Sequence, residues 1–259
     1  MAFAKADDGV KISYSAKGEG PLTVLFMHGW AGSGGYFDQM LSHLDLNGLR
    51  VVTMDMRGHG ESGKPESGYT DERFARDAIA VADVVRGDKI VVVGFSMSGR
   101  FAQYLAVVAP KRIRGQVLVA GCPASPVPLP EETRRDWVSR AGDAERLKAV
   151  TAMFLTRPVE PAVLDRWGAH AAKAVPVALD ETLRIVMYDS FADKFESARV
   201  PTLVVGGIHD PIFSPEVLRG WVGSMPSARL ALLDSNHEIP IEQPRELAAV
   251  LEAFIAGLA

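Results

Sequence analysis

Short apolar runs separated by longer segments with helical spacing dominate the first half of the sequence. Residues on both faces of each run are apolar, which is typical of strands buried in a parallel sheet. The runs are Leu22–Met27, Arg50–Met54, Lys89–Val93 and Gln116–Ala120. Asp71–Val85 and Met97–Ala109, which lie between them, have the apolar spacing of helices. This alternation predicts an α/β fold, with a mostly parallel central sheet flanked by helices.

The alternation stops in the middle of the chain. Between residues 123 and 199 we expect no strand, and several prolines interrupt the first part of this segment. Trp, Phe or Leu recur there at helical spacing, which predicts about four helices. These helices are Arg134–Arg140, Ala144–Leu155, Ala162–Ala172 and Asp180–Phe191. We therefore expect residues 123–199 to form a helical insert, or cap.

The strand pattern then returns and closes the fold. Thr202–Val205 and Arg229–Leu233 are predicted strands, and Pro244–Leu258 has the apolar spacing of a final amphipathic helix. Near the start of the chain, residues 7–9 (Asp-Asp-Gly) lie between two short strand-like pieces and predict a hairpin turn. The expected core thus consists of residues 1–122 and 200–259.

Composition excludes several classes of protein. The 28 basic and 32 acidic side chains give a net charge of -4, whereas a nucleic-acid binder usually has a basic face. The single cysteine, Cys122, allows no internal disulfide and no multi-cysteine metal site. No apolar stretch is long enough to span a membrane, and residues 1–8 lack the pattern of a secretory signal. We expect a cytoplasmic protein without nucleic-acid or membrane partners; a homo-oligomer is possible.

The segment around Ser96 carries the strongest chemical signal. A predicted strand ends at Gly94, and a predicted helix begins directly after Ser96. A serine on so sharp a strand–turn–helix bend has its hydroxyl exposed at the carboxyl edge of the sheet. The bend requires small neighbours two residues away on each side, and these positions hold Gly94 and Ser98. Taken alone, the segment is also compatible with a small-residue turn that has no chemical role.

Further motifs occur in a fixed order along nearly the whole chain. They are His28-Gly29-Trp30, Asp55-x-Arg57-Gly58-His59-Gly60-x-Ser62, Gly94-x-Ser96-x-Ser98, Asp210, and Ser235-Asn236-His237. With them the chain resembles α/β-hydrolase-fold enzymes of the cap-bearing esterase, lactonase and perhydrolase group. The resemblance implies a serine hydrolase with the nucleophile, acid and base in the order Ser96, Asp210, His237.

The residues themselves support the same assignment. A serine hydroxyl needs an imidazole to take its proton, and a carboxylate must orient that imidazole. Of the six histidines, His237 follows the last predicted strand and so reaches the same sheet edge as Ser96. Asp210 follows the preceding strand, and Pro211 prevents further extension of that strand. Asp234 is a rival acid, but it is only three residues from His237.

Main-chain groups and aromatic side chains complete the predicted site. We expect the backbone N–H groups of Trp30 and Met97 to form the oxyanion hole. Trp137, Phe154 and Trp167 of the insert, together with the Trp30 ring, are candidates for the wall of a largely dry substrate pocket. Cys122 is expected to be a small buried side chain rather than a pocket residue. No cluster of residues with metal-ligand spacing and no nucleotide-binding motif occurs in the sequence, so we expect no metal or cofactor.

Ser98 departs from the more common Gly-x-Ser-x-Gly pattern. Serine at this position resembles a subset of the family that includes a bacterial stress-signalling hydrolase and the plant karrikin and strigolactone receptors, whereas Phe95-Ser96-Met97 resembles the perhydrolase and arylesterase branch. The predicted substrate is a small to medium carboxylic ester or lactone, cleaved through an acyl-enzyme intermediate. A slowly turning over small-molecule sensor, a perhydrolase and a C–C bond hydrolase are the alternatives.

Overall fold

An eight-stranded sheet forms the centre of the computed structural model, which describes residues 1–195, 199–225 and 227–258. Its strands are β1 (Ala2–Lys5), β2 (Lys11–Lys17), β3 (Leu22–Met27), β4 (Leu49–Met54), β5 (Ile90–Phe95), β6 (Ile113–Val119), β7 (Thr202–Gly207) and β8 (Ala228–Leu233). The order across the sheet is β1-β2-β4-β3-β5-β6-β7-β8. β1 and β2 form an antiparallel hairpin around the predicted turn, and β2 pairs antiparallel with β4. The six strands β4, β3, β5, β6, β7 and β8, adjacent in this order, run parallel to one another. This arrangement confirms the predicted α/β fold.

Helices cover both faces of the parallel strands. Successive residues of each strand therefore pack into two different apolar clusters, one on each face. In β3, Leu25 and Met27 belong to one apolar cluster, and Val24 and Phe26 belong to the other. The helices on the first face are α2 (Asp71–Val84), α3 (Met97–Val108) and α9 (Pro215–Gly223); those on the second are α1 (Asp38–Leu41) and α11 (Pro244–Ala256). Burial on both faces explains why these strands are continuous apolar runs in the sequence.

Five helices lie between β6 and β7, and none of the described residues there forms a strand. They are α4 (Glu131–Val138), α5 (Ala144–Ala152), α6 (Pro161–Ala171), α7 (Pro176–Tyr188) and the four-residue α8 (Ala192–Phe195). Four of them correspond to the predicted helices. Residues 196–198 of the predicted insert lie outside the described residues.

The helix boundaries show where the sequence predictions were wrong. The helix predicted from Asp180 begins at Pro176 and ends at Tyr188. Proline suits the first turn of a helix, since its missing N–H would have no partner there. The same effect starts α9, which was not predicted: Pro215 is its first residue, and the Ser214 hydroxyl accepts a hydrogen bond from the N–H of Val217. The short α10 (Ile239–Glu242) was also missed.

Candidate active site

The bend between β5 and α3 holds Ser96 in a strained conformation. Its φ of 52° lies in the left-handed region, which is uncommon for a residue with a side chain. A Cβ atom at Gly94 would lie 2.4 Å from the carbonyl oxygen of Ser98, so the strand and the helix meet too closely there for any larger residue. The geometry agrees with the strand–turn–helix bend predicted from the sequence.

The structure brings Ser96, His237 and Asp210 together in one chain of hydrogen bonds. His237 Nε2 lies 2.8 Å from Ser96 Oγ, and His237 Nδ1 lies 2.8 Å from Asp210 Oδ2. Because a carboxylate can only accept, Nδ1 carries the proton and Nε2 is free to accept the serine proton. The other carboxylate oxygen, Asp210 Oδ1, accepts hydrogen bonds from the N–H groups of Ile212 and Phe213 at 2.7 and 3.1 Å.

These contacts determine the charge on the acid. Burial by itself raises the pKa of Asp210, but the hydrogen bond and the charge of His237, together with the two backbone N–H groups, outweigh it. The pKa of Asp210 is therefore below its ordinary value, and the side chain is an anion at neutral pH. An anion at Nδ1 both orients the imidazole and stabilises the imidazolium formed when Nε2 takes a proton.

The rival titratable groups lie elsewhere. Asp234 is exposed and pairs with His209, 2.9 Å from its Nε2, and with Arg157. His28 is buried and structural: its Nε2 accepts the Met56 N–H at 3.0 Å, so its Nδ1 donates to the Gly29 carbonyl at 2.8 Å.

The remaining histidines have no contact with Ser96 either. His59 donates from Nδ1 to the Arg57 carbonyl, and burial is the main cause that lowers its pKa to about 3. His43 is exposed and His170 is half-buried. His28 and His59 are thus hydrogen-bonded residues of the buried structure.

The two predicted oxyanion donors flank the serine. Met97 is the first residue of α3, where no intrahelical partner exists for its N–H. Trp30 directly follows Gly29, and a Cβ atom at Gly29 would lie 3.2 Å from Ser96 Cβ. Within the described ranges, neither N–H donates to a backbone or side-chain acceptor. Both are therefore available to an oxygen atom bound beside Ser96.

A cavity of about 410 Å³ opens beside Ser96 and His237. All four aromatic residues predicted for the pocket line it: Trp30, Trp137, Phe154 and Trp167. The rings of Trp30, Trp137 and Phe154 form a continuous wall, because the Trp137 centroid lies 5.6 Å from Trp30 and 6.0 Å from Phe154. Phe154 in turn lies 5.6 Å from the imidazole of His237. The Trp30 indole N–H donates to the Leu179 carbonyl of α7 at 3.0 Å, which ties the wall to the helical segment.

Cys122, Tyr36 and Glu238 are among the lining residues that were not predicted. Cys122 is buried, as expected, but it also lines the cavity, and burial raises the pKa of its thiol to about 12. Tyr36 and Glu238 line it as well, and the Tyr36 hydroxyl donates to Glu238 Oε2. The position of Glu238 directly after His237 could have indicated that it lies near the site. Its contact with Tyr36 could not be predicted from a local pattern, because the two residues are about 200 positions apart. Burial raises the pKa of Glu238 to about 8.

Ser98 has a clear structural role. Its buried hydroxyl accepts the N–H of Phe95 at 3.0 Å and donates to the Met27 carbonyl at 2.5 Å. Met27 ends β3, the strand that leads to Trp30. The hydroxyl thus connects the turn that carries Ser96 to the strand that leads to Trp30.

The described residues contain no cluster of three or more side chains that could hold a metal ion. Among these same residues, no helix combines the length and the apolar character needed to cross a membrane.

Comparison with known proteins places these features in context. The family model described as the alpha/beta hydrolase fold matches residues 23–157, which is more than half of the chain. Among curated proteins, the chain is 29% identical over 228 residues to a non-heme haloperoxidase of Rhodococcus erythropolis, covering 82% of this chain and 83% of that protein.

Two further relatives carry esterase names. A bifunctional esterase/perhydrolase of Acinetobacter calcoaceticus is 28% identical over 241 residues, covering 84% of this chain and 85% of the relative. Among solved structures, a putative aryl esterase from Burkholderia cenocepacia has a TM-score of 0.87 at 26% identity, covering 99% of this chain and 98% of that one.

Proposed function

The chain belongs to the alpha/beta hydrolase fold family, and we propose that it is a serine hydrolase that cleaves small to medium carboxylic esters or lactones through an acyl-enzyme intermediate. The observation that carries this proposal is the chain of two 2.8 Å contacts from Ser96 through His237 to Asp210. It opens onto a cavity lined by aromatic side chains. The two esterase-named relatives, one of them also a perhydrolase, support the same chemistry.

In the first half-reaction, Ser96 Oγ attacks the carbonyl carbon of the ester while His237 Nε2 takes the serine proton. The negative charge on the former carbonyl oxygen is stabilised by the N–H groups of Trp30 and Met97. The imidazolium, held by the Asp210 carboxylate, then gives its proton to the leaving alcohol oxygen. The acyl group remains on Ser96 Oγ as an ester.

In the second half-reaction, His237 takes a proton from water, and the resulting hydroxide attacks the acyl carbon. The oxyanion is again stabilised by the two N–H groups. When the intermediate collapses, the proton returns from His237 to Ser96 Oγ and the carboxylic acid leaves. In a lactone the alcohol and the acid belong to one molecule, so a single hydroxy acid is released.

We propose residues 123–199 as a cap that covers the site. Trp137, Phe154 and Trp167 come from this segment and line the cavity with Ser96. A cavity of about 410 Å³ is the size of a small-molecule site. It favours compact apolar acyl or alcohol groups over peptides, polysaccharides and long lipids.

Labelling of the nucleophile tests this proposal. A fluorophosphonate should add one phosphonyl group to Ser96, as measured by peptide mass, and Ser96→Ala should remain unlabelled while retaining its circular dichroism. The wild-type protein should also hydrolyse p-nitrophenyl pentanoate over many turnovers, whereas Ser96→Ala should lose at least about 1,000-fold in kcat. Labelling at another serine would contradict the assignment of the nucleophile. A single turnover followed by arrest would favour the sensor alternative.

Perhydrolysis is the second candidate, because the relative from Acinetobacter calcoaceticus is named as both an esterase and a perhydrolase. In this reaction hydrogen peroxide replaces water in the second half-reaction, and the product is a peracid. The same acyl enzyme serves both. Ester turnover measured with and without added hydrogen peroxide, with detection of the peracid, separates the two activities.

A further inference from the structure

Glu238 is a carboxyl group in the cavity wall that the proposed reaction does not use. The residue is 7% exposed and lines the cavity beside Ser96 and His237. One of its oxygens, Oε2, accepts a hydrogen bond from the Tyr36 hydroxyl. Among the described residues Oε1 has no hydrogen-bond partner, yet it is not sealed from solvent. The side chain of Glu238 thus lines the cavity and has one carboxyl oxygen without a partner among the described residues.

Glu238 lies among a tyrosine, a histidine and two acidic side chains. They are Tyr36 from the 3-10 turn after β3, His237 with Asp210 behind it, and Glu242 from α10. No Lys or Arg among the described residues pairs with it. Burial, with a smaller contribution from the negative charge of Glu242, raises the pKa of Glu238 to about 8. The side chain is therefore mostly protonated at neutral pH.

The hydrogen bond from Tyr36 determines where the proton lies. Since Oε2 already accepts the Tyr36 hydroxyl, the carboxyl proton belongs on Oε1, the oxygen without a partner among the described residues. A neutral carboxyl group in the cavity wall can donate a hydrogen bond to a molecule bound in the cavity. The other walls are mainly aromatic and aliphatic, so a donor here distinguishes between substrates that are otherwise alike.

We propose that Glu238 is a specificity-determining residue whose protonated carboxyl group donates a hydrogen bond to a second, neutral oxygen of the substrate. The favoured substrates are esters or lactones that carry a ketone or ether oxygen in addition to the carbonyl that Ser96 attacks. This inference rests on the proposed ester hydrolysis.

Matched ester pairs test the inference. p-Nitrophenyl 4-oxopentanoate and p-nitrophenyl pentanoate differ by a ketone in the acyl part; 3-oxobutyl acetate and butyl acetate differ by a ketone in the alcohol part. At pH 6.5 we expect kcat/KM for the oxo ester of at least one pair to exceed that of its plain partner by about tenfold, after correction for the intrinsic reactivity of each ester in alkaline hydrolysis. Glu238→Gln, which keeps an N–H donor, should retain the ratio, and Glu238→Leu should abolish it.

The pH dependence of the ratio provides an independent readout. Between pH 7 and 9 the wild-type ratio should fall as Glu238 loses its proton and its donor, whereas the ratio in Glu238→Gln should stay constant. Titration of His237 affects both esters of a pair alike and cancels from the ratio. If Glu238→Leu does not fold, this comparison between the wild-type protein and Glu238→Gln decides the question.

Three outcomes overturn the inference. They are a ratio near one for both pairs in the wild-type protein, an unchanged ratio in Glu238→Leu, and a preference for butyrylcholine over its neutral isostere 3,3-dimethylbutyl butyrate. The last result would show an ionised carboxylate that binds cations. Failure of the wild-type protein to hydrolyse the plain esters would instead contradict the proposed function, so the two failures are distinguishable.

Discussion

At the scale of single residues, Ser98 shows why a departure from a common pattern can be a structural feature. Glycine at this position would satisfy the close approach of β5 and α3, but the close contact is made by the main chain of residue 98 against Gly94. The side chain of residue 98 points toward the end of β3, where its hydroxyl bonds with Met27 and Phe95. Serine is therefore accommodated and adds hydrogen bonds that glycine cannot make.

We expect Ser98→Ala and Ser98→Gly both to lower the free energy of unfolding by about 1–3 kcal/mol, since each leaves buried polar groups without this partner. Ester turnover should also fall, because the hydroxyl fixes the nucleophile turn relative to the strand that leads to Trp30. Urea unfolding and kcat for p-nitrophenyl pentanoate measure the two effects. Equal stability of the glycine variant and the wild-type protein would show that the hydroxyl has no structural role.

The residues of the proposed triad could be predicted from the sequence for a simple geometric reason. Ser96, Asp210 and His237 each follow a parallel strand, and the carboxyl ends of parallel strands meet at one edge of the sheet. The role of Glu238 in the cavity wall could not be predicted in this way. Burial raises its pKa, and its hydrogen-bond partner Tyr36 comes from the 3-10 turn Gly34–Phe37, about 200 residues away, whose position no local pattern specifies.

At the scale of elements, the Glu242 carboxylate joins two segments that are far apart in sequence. Its Oε2 accepts hydrogen bonds from the Ser235 hydroxyl and the Asn236 N–H, at 2.8 and 2.7 Å, in the loop that carries His237. Its Oε1 accepts the N–H groups of Thr156 and Arg157, between α5 and α6. One side chain of α10 thus fixes the proposed cap against the loop of the proposed base.

We expect Glu242→Gln to destabilise the protein by about 2 kcal/mol or more, because hydrogen bonds to charged groups contribute about 1.5–3 kcal/mol each and the amide has one acceptor oxygen instead of two. It should also lower kcat, since the loop that carries His237 loses part of its support. Glu246→Gln, at an exposed position in α11, is the matched control and should change neither quantity. Equal effects of the two substitutions would contradict the role of Glu242.

Strands that are buried on both faces could be predicted from the sequence. Leu22–Met27 was predicted to the residue, because a strand buried on both faces is an almost continuous apolar run, here bounded by Pro21 and His28. The start of α7 was missed because the proline at position 176 suggests a break, although it serves as the first helical residue. α9 was missed for a similar reason: Pro215 at its start obscured a helix that is partly exposed.

At the scale of the whole molecule, the buried carboxyl of Glu238 makes stability depend on pH. Its pKa is about 8 in the folded protein and near 4.3 in an unfolded chain. The folded state therefore holds the proton more tightly, and this contribution to stability is complete below about pH 4. It is lost progressively as pH rises toward 8 and is constant above that value.

We expect the difference in unfolding free energy between the wild-type protein and Glu238→Gln to change by about 4 kcal/mol between pH 5 and pH 9, with the wild-type protein becoming relatively less stable. The glutamine does not titrate, so the comparison removes the contribution of every other group. Urea unfolding at the two pH values measures it. A difference that does not vary with pH would show that Glu238 is ionised throughout.

The cavity combines residues from one continuous segment of the chain with residues from several separate segments. Ser96, Asp210 and His237 come from three separate strand ends, whereas eleven of the 24 residues that line the cavity come from the single stretch between Val127 and Met187. Substitutions in one continuous part of the gene can therefore alter which substrate fits the cavity. The proposed catalytic residues are encoded outside that part of the gene and need not change with it.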